Sequence, residues 1–195
     1  MLTYLTDFAP GWDVFEREKG SEISDIIVDI EKAGSSDIKS FFYPSHVFKV
    51  VNATTGIEAA EGGVAYFPLS KYLDNPKCEL VFCRPQGLTD QAVSQMLTLG
   101  DKLVKAKVGY GYLDLARDAL IAFTGLEDVI PALHHLGTQK NHLFCSALVS
   151  LMDKSADIYK DVWLFNEYSI SEISPLMLMS DMVYDIMNPF RVKEG

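Results

Sequence analysis

The chain of 195 residues contains three cysteines, Cys78, Cys83 and Cys145. So small and odd a number excludes a disulfide scaffold and fits a reducing compartment. No apolar run approaches the roughly 18 residues that a membrane-spanning helix needs. Positive charge is also scarce: 17 Lys and Arg stand against 27 Asp and Glu, a net charge of −10. Such a surface repels phosphate backbones and anionic membranes, so neither a nucleic-acid partner nor stable membrane insertion is expected. The basic residues are scattered, and the densest group (Lys102, Lys105, Lys107) reads as the solvated face of a helix. Residues 1–7 lack the basic start and apolar centre of a signal peptide. A cytoplasmic location is therefore expected, with assembly into a virion or envelope as the alternative. Metal-ligand spacing is missing too: Cys78 and Cys83 stand five apart on a strand-like run, and the adjacent His134 and His135 point in different directions on a helix. No metal and no cofactor is expected.

What is present is an ordinary globular composition, 48% hydrophobic and 23% charged, in a chain of one-domain length. Residues 11–15 read as a short strand, and Ile23, Ile26, Ile27 and Ile30 mark a helix over 21–32. Residues 47–51 and 57–60 form a predicted hairpin around a turn at 52–56, and 64–68 and 79–83 read as further strands. The remainder is mainly helical. Thr89 caps a helix bearing Val93, Met96, Leu97, Leu103 and Val104. Leu113, Ala116, Leu120 and Phe123 mark another, and Cys145, Leu148, Val149 and Met152 a third. A last helix opens at Ser174-Pro175 and ends at Asn188-Pro189. Strands segregated from helices predict an α+β protein, an antiparallel sheet or small barrel packed against helices.

Three positions carry candidate chemistry. Cys145 falls in the first turn of its predicted helix, after a polar stretch over 137–141. There the helix dipole and unpaired amides favour a thiolate and can hold an oxyanion. Against that stands the commoner fate of an unpaired cysteine, a small core hydrophobe. A thiol with a pKa near about 8.5 needs a base at neutral pH. His46, at the mouth of a strand, is a rigidly mounted one. Its tautomer would be fixed by a carboxylate, and Glu58 and Glu61, on the far arm of the same hairpin, both qualify.

These pieces resemble a known family. Ser45-His46-Val47 is similar to a Ser-His-Val-Gly strand start, and Phe144-Cys145-Ser146-Ala147-Leu148-Val149 to a Tyr-Cys-Ser-Glu-Leu-Val nucleophile motif. Ile57-Glu58-Ala59-Ala60 with Gly63-Val64 and Pro68-Leu69, the run 109–114, and Ile173-Ser174-Pro175 match more loosely. Together they resemble the circularly permuted branch of the NlpC/P60 papain-like superfamily, which includes the YiiX-like and lecithin retinol acyltransferase-like proteins. In that branch the His strand precedes the Cys helix. The resemblance implies a single permuted papain-like domain over 1–195. It also implies a cysteine-dependent hydrolase of amidase or peptidase type, acting on a peptide, peptidoglycan or lipid-linked amide. Cys145 would attack the carbonyl, His46 would carry the proton, and Glu58 rather than Glu61 would orient His46. The Cys145 amide would donate to the oxyanion, with Tyr43 and Ser146 as substrate-adjacent candidates. The alternatives are a non-catalytic binding or structural module on the same fold and a thiol acyltransferase on a lipid substrate. Two positions depart from the pattern: Phe48 stands where the family has glycine, which predicts a narrowed cleft, and Ala147 where it commonly has glutamate.

Overall fold

The computed structural model describes residues 8–22, 24–25, 28–29, 42–60, 62–108, 143–158, 173–181 and 184–191. Strands form where β-branched and aromatic residues alternate or cluster. They are β1 (Asp13–Glu18), β2 (His46–Asn52), β3 (Thr55–Ala60), β4 (Gly63–Pro68), β5 (Cys78–Pro85) and β6 (Tyr184–Arg191). All pair antiparallel in one sheet of order β4-β3-β2-β1-β5-β6. The helices are α1 (Ser70–Leu73), α2 (Asp90–Lys105), α3 (Leu143–Ser155) and α4 (Pro175–Asp181). The protein is thus α+β, as the segregation of strand and helix signals predicts.

The hairpin of β2 and β3 turns on Asn52, whose Oδ1 accepts from the Thr54 amide at 2.9 Å. Its register sets Lys49 opposite Ile57 and Val50 opposite Gly56. Both faces of the sheet are covered. On one, Ile57, Ala59 and Val64 pack with Met96, Leu99 and Leu103 of α2 and Leu148, Leu151 and Met152 of α3. The same layer continues through Phe15, Val47, Val81 and Cys83 to Cys145, Val149, Ile173 and Leu176. On the other, Trp12, Val14, Phe48, Val50, Phe67, Leu80 and Phe82 form a second core, closed by Phe8, Tyr72, Leu73 and Leu88. A residue on β2 therefore meets protein whichever way it points. Val47 and Lys49 face the helices, while His46, Phe48 and Val50 face the aromatic core.

The Thr89 side chain caps α2 by accepting from the Ala92 amide. Gly100, in the middle of that helix, would cost about 1 kcal/mol against alanine in isolation. Here a Cβ would lie 2.9 Å from Ile57 Cδ1 and 3.1 Å from Met152 Cε. The glycine lets α2 approach β3 and α3 closely.

One expected element is corrected. The last helix starts at Pro175 but stops at Asp181, and the segment predicted to continue it to Asn188-Pro189 is strand β6. β6 lies at the edge of the sheet, where proline is tolerated because one side of the strand needs no ladder bond. Pairing with β5 outweighs the local helical pattern. β1 is longer than the predicted 11–15 strand, running to Glu18 between β2 and β5. Residues 22, 24, 25, 28 and 29 are helical, in line with the predicted 21–32 helix. The helix predicted around Leu113–Phe123, the run 109–114, His134, His135, His142 and Glu61 lie outside the described residues.

Candidate active site

His46 is the first residue of β2 and Glu58 lies near the end of its hairpin partner β3. The hairpin brings the two side chains together: His46 Nε2 lies 3.0 Å from Glu58 Oε2. The imidazole side chain is 17% exposed and the carboxylate 6%. Glu58 accepts two further bonds. Tyr72 OH donates to Oε2 at 2.6 Å and Lys71 Nζ to Oε1 at 2.5 Å. These donors offset the burial that would push the carboxyl up, and Glu58 is held down at about 2. It is an anion over the whole neutral range.

Tyr72 and Lys71 belong to α1, a single turn. Tyr72 stacks on Phe48 with ring centroids 4.9 Å apart and planes 12° from parallel. Phe67 meets both rings edge-on, and Lys71 Nζ lies 4.7 Å from the Tyr72 ring centroid. The phenylalanine at position 48 is thus fully buried as the bed on which Tyr72 lies, with its ring centroid 6.3 Å from that of His46. Its bulk positions a hydrogen-bond donor to Glu58.

Cys145 is the third residue of α3, within the first turn, and only 3% exposed. It packs in the apolar layer with Phe15, Val47, Val149 and Ile173, and Tyr43 packs against the same layer. His46 lies within hydrogen-bond reach of the Cys145 sulfur. Burial would push His46 down, but the charge and hydrogen bond of Cys145, then those of Glu58, outweigh it and raise His46 to about 10. The imidazole is held as a cation at neutral pH between two acceptors. Glu16, opposite His46 on β1, adds to that cation's anionic surroundings; its own carboxyl is raised by burial and lowered by His46.

Cys145, His46 and Glu58 are therefore brought into one place by three different elements. Ser146, by contrast, is fully buried and donates to the carbonyl of Ile173 at 2.5 Å, tying α3 to the segment before α4. Cys78 and Cys83 are unbridged and buried on β5, and both thiols are pushed up, first by burial and then by neighbouring carboxylates. Among the described residues no group of three or more His, Cys, Asp or Glu is placed to hold a metal ion, and no helix is long and apolar enough to cross a membrane.

A second charged cluster was not anticipated from the sequence. Lys49, wholly buried, donates to Asp13 Oδ1 at 2.5 Å, to Asp153 Oδ1 at 2.7 Å and to the Gly11 carbonyl at 3.3 Å. Tyr184 OH reaches the other oxygen of Asp13 at 3.4 Å. Burial pushes both carboxyls up, against the pull of Lys49, while the two carboxyls raise Lys49 against its own burial. The upward push on Asp153 favours a trio with one positive and one negative charge, the balance a dry interior demands. The sequence signal was a charge inside each of three apolar runs, 12–15, 47–51 and 148–153.

Comparison of the chain with family models, with curated proteins and with solved structures finds no match.

Proposed function

We propose that the chain is a cysteine-dependent hydrolase of the amidase or peptidase type on a permuted papain-like fold. Its substrate class is a peptide, peptidoglycan or lipid-linked amide. The observation that carries this reading is the imidazole of His46, hydrogen-bonded between the Cys145 sulfur and the Glu58 carboxylate. An acid–base imidazole needs both a group to exchange its proton with and a partner to orient it, and His46 has Cys145 and Glu58 beside it.

The chemistry follows from those contacts. In the resting pair the proton already sits on His46, and the Cys145 sulfur attacks the carbonyl carbon of the amide. Charge gathers on the carbonyl oxygen, toward which the Cys145 amide in the first turn of α3 can donate. The C–N bond breaks, and the proton on His46 leaves with the amine. A thioester now joins the acyl group to Cys145. His46 then takes a proton from water, hydroxide adds to the thioester, and the proton returns to the departing sulfur. Glu58 keeps the ring oriented and its cationic form stable throughout.

Alkylation tests the reading. Iodoacetamide at neutral pH should label Cys145 much faster than Cys78 or Cys83, and His46→Ala should remove that preference. Equal slow labelling of all three thiols would sink the proposal and favour a non-catalytic module. A second reading, a thiol acyltransferase on a lipid substrate, draws support from the apolar layer around Cys145. An activated acyl ester distinguishes the two: both give a thioester mass on Cys145, but only the transferase releases it faster to an added alcohol or amine than to water.

A further inference from the structure

Cys145 and His46 ride on elements that are remote in sequence, and reactive groups must be held to within about 0.5 Å of productive geometry. Apolar packing between α3 and β2 is non-directional and resists sliding weakly. The buried bond from Lys49 to Asp153 is directional. Lys49 lies three residues beyond His46 on β2, and Asp153 eight residues beyond Cys145 on α3. Their bond therefore joins the strand of the imidazole to the helix of the thiol. Asp13 and Gly11 supply the other two acceptors, which exhausts the three donors of the ammonium and leaves it one orientation.

Stability alone does not account for this arrangement. A buried ion cluster is often no better than apolar side chains of the same volume. Here Asp153 Oδ2 also lacks a hydrogen-bond partner among the described residues. What the cluster supplies is registry.

We propose that Lys49, gripped by Asp13 and Asp153, is a positioning clamp that sets the separation of the Cys145 sulfur from the His46 ring. Lys49 acts through β2 and α3, by fixing how they lie against each other. The proposal rests on Cys145 being a reactive thiol, the reading given above.

The test is the pH profile of Cys145 alkylation by iodoacetamide, read by peptide mass spectrometry with Cys78 and Cys83 as internal standards and melting measured alongside. If Cys145 of the unaltered protein reacts no faster than the other two, the thiol reading itself fails. If it is selective, Asp153→Leu isolates the clamp, because Lys49 and Asp13 remain a balanced pair. The groups facing the imidazole, Glu58, Glu16 and Tyr72, are untouched by this change. The folded D153L protein is expected to lose about tenfold or more of its alkylation rate near neutral pH, with a changed pH profile. Asp153→Asn keeps an oxygen acceptor for Lys49 and should stay within about threefold of the unaltered rate. A folded D153L protein with unaltered rate and profile would overturn the clamp. Should D153L not fold, the triple variant D13N/K49M/D153L, which removes the whole ionisable cluster together, takes its place with the same two outcomes.

Discussion

Two ion clusters share strand β2, three residues apart and on opposite faces. His46 opens the strand with its ring at the partly exposed rim, between Cys145 and Glu58. Lys49 lies at the strand's centre, wholly enclosed, between Asp13 and Asp153. Both consist of a cation held by anionic partners, and the difference is solvent. Around His46 an exchangeable proton has somewhere to go, and Lys71 of the same cluster is 45% exposed. Around Lys49 every donor is matched and no water path is needed, so the charges can only hold elements together. Similar electrostatics thus stand at a partly exposed strand end and at an enclosed strand centre.

The largest expected effect breaks the first cluster. His46→Ala should reduce amide turnover by a factor of about 100 or more, the usual contribution of a positioned acid–base group. Melting temperature should fall only modestly, because Tyr72 and Lys71 still bind Glu58. Breaking the second cluster should show most strongly in stability. Lys49→Met leaves two buried carboxyls without their cation and should cost about 3–5 kcal/mol in urea unfolding. A smaller loss would mean that water reaches the site.

Two gentler changes sharpen the comparison. Turnover should fall as pH rises through about 10, where His46 loses the proton that the leaving amine requires. Glu58→Gln removes one of the charges that hold this proton, so the alkaline limb should move down and turnover drop by about tenfold. Acid titration gives the matching stability signal. Glu58 is lowered from 4.5 to about 2, so its contribution is fully present above pH 4.5 and is lost as pH falls toward 2. E58Q should flatten the unfolding curve in that window. The smallest effect belongs to Lys71→Met. Its exposed ion pair is worth less than about 1 kcal/mol. With Lys71 gone, the whole charge of Glu58 is left to His46, and the alkaline limb should rise slightly.

The sequence made much of the fold legible, and its limits have physical causes. Hairpin β2–β3 could be read because turn residues and alternation are local. Strand β6 could not, because what makes it a strand is pairing with β5 about a hundred residues earlier, and proline at an edge gives no warning. Within the site, Cys145 at a helix start and His46 at a strand start were legible as separate candidates; the family resemblance joined them and chose Glu58 over Glu61. Tyr72 and Lys71 were not, since a one-turn helix has too few residues to show a period. Lys49, Asp13 and Asp153 each stood out as charges in apolar runs. Nothing in the sequence paired them, because the contacts span 36 and 104 positions.

The contact between Lys49 and Asp153 has a temporal consequence as well. Central strands β1 and β2 come from the first quarter of the chain, while α3, α4 and β6 come from the last third. Contacts so distant in sequence carry a high loop-closure entropy and form late. A ribosome delivers His46 and Glu58 long before it delivers Cys145, so a nascent chain holds His46 and Glu58 without the sulfur. The proposed site is completed only when the chain closes on itself.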